Sequence, residues 1–140
     1  MGTFVEFYKI RKEDVPKSFF PVKVDVYENE DCTDETFFDL SIDQEEDVLH
    51  LKTFPRTGQL RVVLDAFMPT QGLTGTVYNT SMVTSRSFIS AFLSFVKTTD
   101  LWNPNAVNYS EGEREMVVDT IEEFLNRTDF DNEFLFYTYY

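Results

Sequence analysis

The chain has one cysteine, one histidine and one tryptophan among its 140 residues. With Cys32 alone no internal disulfide can form, so the fold does not depend on an oxidising compartment. Cys32 and His50 together could furnish at most half of a zinc site, and His50 has no second imidazole to work with. Cys32 is also a poor nucleophile on paper. Glu28, Glu30, Asp31, Asp34 and Glu35 surround it in sequence, and negative neighbours disfavour a thiolate. Basic residues are scarce, 12 against 25 acids, for a net charge of −13. Such a chain is repelled at long range by nucleic acid and by anionic membranes. Its longest apolar run, residues 88–96, is far too short to span a bilayer. Residues 1–10 lack the basic-then-apolar layout of a secretion signal, and the expected compartment is the cytoplasm.

Cofactor motifs are missing as well. Gly72-Leu73-Thr74-Gly75 resembles a phosphate-cradling loop, but no lysine and helix start follow it, so it reads as a turn. Asp129-Phe130-Asp131-Asn132-Glu133 has the oxygens of a calcium loop without its glycine or spacing, and the acids between Glu28 and Asp34 lack the glycine too. No cofactor and no metal are expected, and no enzyme. Lys9, Arg11, Lys12, Lys17 and Lys23 form the one concentration of bases, read as balancing nearby acid.

What the chain does have is rings and periodicity. Fifteen Phe and seven Tyr fill a core with few residues, and 140 residues suit a single domain spanning 1–140. The first half reads as strands. Residues 3–10 are rich in β-formers, and Val22, Val24 and Val26 alternate with polar neighbours. Phe38, Leu40 and Ile42 alternate likewise. Residues 48–54 and 60–67 flank Pro55-Arg56-Thr57-Gly58-Gln59 as an expected hairpin. The period then turns helical. Phe88, Ile89, Phe92, Phe95 and Val96 fall on one face, with Thr84 or Ser85 as cap. Val117, Val118, Ile121, Phe124 and Leu125 fall on another, opened by the capping-box pattern Ser110-Glu111-Gly112-Glu113. Residues 133–139 read as a closing strand. This order predicts an α+β fold, an antiparallel sheet of about five to six strands with two helices on one face and solvent on the other.

The strongest departure from chance is the acid. Ten carboxylates and no base lie between Glu28 and Asp47: Glu28, Glu30, Asp31, Asp34, Glu35, Asp39, Asp43, Glu45, Glu46 and Asp47. The last helix adds Glu115, Asp119, Glu122 and Glu123, whose i, i+3 and i, i+4 spacings repel at a few tenths of a kcal/mol each. The helix dipole explains Glu111 and Glu113 but not acids further along. Apart from Asp39, these residues are the candidate docking surface for a basic protein partner. Complementary charge of that kind speeds encounter and sets specificity. The expected function is a non-enzymatic inhibitor, in the manner of nucleic-acid mimics and small viral proteins, with neither nucleic acid nor membrane as a direct partner. The alternative is a structural subunit of a virion or oligomer, pairing copies through the C-terminal strand. Trp102, Tyr139 and Tyr140 are candidate aromatic anchors.

Overall fold

The computed structural model describes residues 4–19, 37–54, 59–72, 80–102 and 112–139. Five strands form one sheet: β1 (Val5–Arg11), β2 (Phe37–Asp39), β3 (Leu49–Phe54), β4 (Thr80–Thr84) and β5 (Glu133–Tyr139), in the order β2-β4-β5-β1-β3. Every neighbouring pair is antiparallel. Three helices accompany it: α1 (Leu60–Phe67), α2 (Arg86–Thr98) and α3 (Glu113–Arg127). The fold is α+β, as the order of periodicities implied. The expected strand at Val22–Val26 lies outside the described residues.

The helices cover one face of the sheet. Val5, Phe7, Phe37, Phe54, Met82, Leu135 and Tyr137 join residues of all three helices in the larger core cluster. In α2, Phe88, Ile89, Phe92, Leu93 and Val96 are buried, and Ser85 caps the helix by accepting from Phe88 N at 3.1 Å. The chain beyond α2 folds back, and Trp102 is buried there, donating from Nε1 to Val96 O at 3.1 Å. It is part of the core rather than an outward anchor. In α3 the inward residues are Val117, Ile121 and Phe124.

Three expectations fail for physical reasons. Residues 60–67 are helical, not the second arm of a hairpin. Leu60, Val63, Leu64 and Phe67 are buried while Val62 is exposed, so the working period is i, i+3, i+4, i+7. Leu60, Val62 and Leu64 give a period-2 pattern by coincidence. Beyond Asp39 the chain leaves β2 and turns through a 3-10 segment, Leu40–Gln44. Asp39 directs this, its Oδ1 accepting from Ser41 N at 3.0 Å and Ser41 Oγ at 2.8 Å. That carboxylate is held below its ordinary pKa by the same two bonds, first the backbone one. Lastly, the face opposite the helices is not solvated. Tyr8, Ile10, Phe38 and Phe136 on the sheet form a second buried cluster with Phe19 and Ile42, contributed by turns on that side.

β5 is the middle strand, paired to β1 along its whole length and to β4 from Leu135 to Thr138. It is buried on both faces, which is why residues 135–138 show no polar alternation. Its buried Thr138 hydroxyl is satisfied across the pairing, Thr138 Oγ1 lying 2.8 Å from Ser81 Oγ of β4. Because both of its edges are taken, the C-terminal strand has none to offer a second copy; the described edges are β2 and β3. Tyr140 lies outside the described residues.

Candidate functional site

The outer side of α3 is built by its inner side. Once Val117, Ile121 and Phe124 pack on the sheet, 3.6-residue periodicity turns Glu115, Asp119, Glu122 and Glu123 to solvent, and all four are exposed. Glu123 pairs with Arg127 at 3.0 Å. Glu115, Asp119 and Glu122 have no ion pair among the described residues. Arg114, which could have neutralised this row, instead donates to the backbone carbonyl of Lys97 at the end of α2. Met116, 39% exposed, lies between the acids.

The second acidic group is placed elsewhere. Glu28, Glu30, Asp31, Asp34 and Glu35 lie outside the described residues. Asp43 lies within the Leu40–Gln44 segment and Glu45, Glu46 and Asp47 follow it; Ile42 of that segment belongs to the cluster on the face away from α3. Glu46 and Asp47 are exposed, Asp43 and Glu45 half-buried. Asp43 has its carboxyl pKa raised, first by desolvation and then by the nearby negative charge of Glu6. The two groups therefore sit on opposite faces. A groove on the β3 side next to the α3 row is lined by Lys9, Lys52, Arg127 and Glu123 beside Leu49 and Phe124, with Lys9 and Arg127 each in an ion pair. Sequence neighbours gave no hint of this separation.

Ser110 and Glu111 of the capping-box pattern lie outside the described residues, but Glu113 does not play the part that pattern gave it. The residue before α3 is Gly112, at φ 80°, with no side-chain cap. Glu113 is buried, and its Oε1 accepts from the amide of Gln59 at 2.6 Å, at the start of α1. A carboxylate at a helix start is favoured by the dipole, but the helix it serves is not its own. Its Oε2 is buried with no hydrogen-bond partner among the described residues.

His50 sits in a polar chain that sequence reading missed. Its Nε2 lies 2.7 Å from Thr53 Oγ1, and that hydroxyl donates to Glu6 Oε1 at 3.1 Å. Tyr8 donates to the other oxygen of Glu6, and its ring meets the imidazole edge-on at 5.2 Å. Strand pairing brings these residues together: Tyr8 lies opposite His50 and Glu6 opposite Thr53. The missing signal was the β1–β3 register. Among the described residues no group of three or more His, Cys, Asp or Glu side chains could hold a metal ion. In the Asp129–Glu133 turn the oxygens are spent locally. Asp129 accepts from Asp131 N at 3.1 Å and from Asn132 Nδ2 at 2.8 Å, and Glu133 Oε1 accepts from Asp129 N at 2.8 Å. The Asn132 bond leads in holding the Asp129 pKa below its ordinary value.

The basic concentration is only partly balanced. Lys9 pairs with Glu133 at 3.4 Å, and Arg11 pairs with Glu13. Lys12 lies over the Phe134 ring, 5.0 Å from its centre. Lys23 lies outside the described residues, as do Cys32 and Leu73 to Gly75. No helix among the described residues is long and apolar enough to cross a membrane. No family model, no curated protein and no solved structure matches this chain.

Proposed function

We propose that this protein is a non-enzymatic binding protein of the cytoplasm, an inhibitor that sets the outer row of α3 against a basic, nucleic-acid-binding surface of a target protein. The observation that supports it is the row Glu115, Asp119 and Glu122, exposed and without a cation among the described residues. A helix that keeps adjacent carboxylates unneutralised sacrifices a little stability, since like charges at i, i+4 repel. Cationic side chains on a partner remove that repulsion. Spaced along one stripe at about 1.5 Å of rise per residue, Glu115 to Glu122 covers roughly 10 Å, enough to meet two or three phosphate-binding side chains. The acids from Asp43 to Asp47, on the other face, are not part of this row, and the reading rests on α3 alone.

The test is charge reversal. Asp119→Lys, Glu122→Lys and Glu123→Lys together should abolish capture of a purified basic nucleic-acid-binding target. The wild-type complex should weaken steeply between about 0.05 and 0.5 M salt, where the screening length falls well below about 10 Å. A complex that survives both the reversal and the higher salt unchanged would remove the acidic-surface reading.

A further inference from the structure

A cavity of about 400 Å³ opens at the end of the sheet where α2 begins, and two of the chain's twelve bases, Lys12 and Arg86, line it. Neither is in ion-pair contact with a carboxylate among the described residues, although the charge of Arg86 helps to hold the Asp129 pKa down. Each is instead held against a ring that also lines the cavity, Lys12 Nζ 5.0 Å from the centre of Phe134 and the Arg86 guanidinium 5.0 Å from that of Phe130. Such contacts orient a cation while leaving its hydrogen-bond donors free. Phe88 and Met82 add apolar wall. The volume lies in the range of small-ligand sites, and an apolar lining with a few converging polar groups is their usual composition.

We propose that this cavity binds a small organic monocarboxylate with an aromatic or aliphatic body, its carboxylate between Lys12 and Arg86 and its body on the rings. Charge distinguishes this cavity from the groove lined by Lys9, Lys52 and Arg127. The groove beside β3 has a similar volume, about 380 Å³, but two of its bases, Lys9 and Arg127, are already paired to Glu133 and Glu123. Charge also decides the class of anion. Glu133 lines the cavity as well, and although Lys9 offsets it, a carboxylate in the wall disfavours a dianion such as a phosphate ester. The start of α2 is not the anchor, because Ser85 Oγ already takes the Phe88 amide. The site is independent of the acidic row, so its test leaves that reading untouched.

Titration with phenylacetate, followed by amide chemical shifts, should move the resonances of Phe88, Phe130 and Phe134 with a Kd on the order of 1 mM. Phenylacetamide, the same body without charge, should bind about tenfold more weakly. The double variant Lys12→Gln, Arg86→Gln should lose about tenfold for phenylacetate and nothing for phenylacetamide. Both side chains are exposed, so the variant should fold; if it does not, the amide comparison on the wild-type protein decides alone. Equal binding of acid and amide overturns the proposal. So does inorganic phosphate moving the same resonances as strongly, and so does phenylacetate leaving them unmoved.

Discussion

On one side of the sheet, α1, α2 and α3 bring Leu64, Phe92 and Ile121 into a single cluster with Phe7 and Tyr137; on the other, short turns bring Phe19 and Ile42 onto Tyr8, Ile10, Phe38 and Phe136. The first cluster is closed by long amphipathic elements, each with its own periodic stripe. The second is closed by segments too short to show any period, and polar groups lie beside it: Glu6, Asp43, His50 and Thr53. Both are buried, yet they differ in what holds the covering layer. A helix is positioned by several side chains at once, whereas a 3-10 segment is positioned by one apolar residue and one cap, here Ile42 and Asp39.

Three measurements test how far the two sides differ. Phe92→Ala should cost about 3–5 kcal/mol, read by denaturant unfolding. Phe92 is fully buried and its ring meets Phe67 at 5.1 Å between centres. Ile42→Ala should cost about 2–4 kcal/mol, because the 3-10 segment can settle partly into the space left. If Ile42→Ala proves the more damaging, the turn side rather than the helical side is the centre of stability. Asp43→Asn should stabilise slightly, by about 0.5 kcal/mol or less, since the group is partly exposed and screened. The sign follows from its raised pKa. The Asp43 contribution is fully present below the unfolded value of 3.8 and is lost as pH rises through the higher folded value. The variant should therefore exceed the wild type in thermal stability at neutral pH and match it below about pH 4. A variant advantage that persists undiminished in acid would mean that desolvation and Glu6 are not its cause.

Much of the architecture was legible because it repeats. The stripes of α2 and α3 are long enough to average out local accidents. β1, β3 and β5 were visible from their β-forming composition. Where the pattern was short it misled. Three apolar residues at alternate positions, Leu60, Val62 and Leu64, fit a strand as well as a helix until Val63 and Phe67 are included. β4, residues Thr80–Thr84, carries three hydroxyl side chains, of which Ser81 and Thr84 are buried by bonds to β5, and polar composition obscured a strand that stands next to the middle of the sheet. The candidate surface was half legible. The exposed acids of α3 follow from its buried stripe, whereas the placement of Asp43 to Asp47 on the far face depends on where the chain turns after β2.

Sequence alone determined the class of fold, the surplus of negative charge and the outward row on α3, because each follows from composition or from a helix period that needs no distant partner. Tertiary structure alone decided the rest. It set Glu113 on the amide of Gln59 rather than on its own helix, and it joined His50 to Glu6 through Thr53. It also gathered Lys12 and Arg86 around one cavity. In each case the partners are far apart along the chain, and only strand register and helix docking bring them within bonding distance.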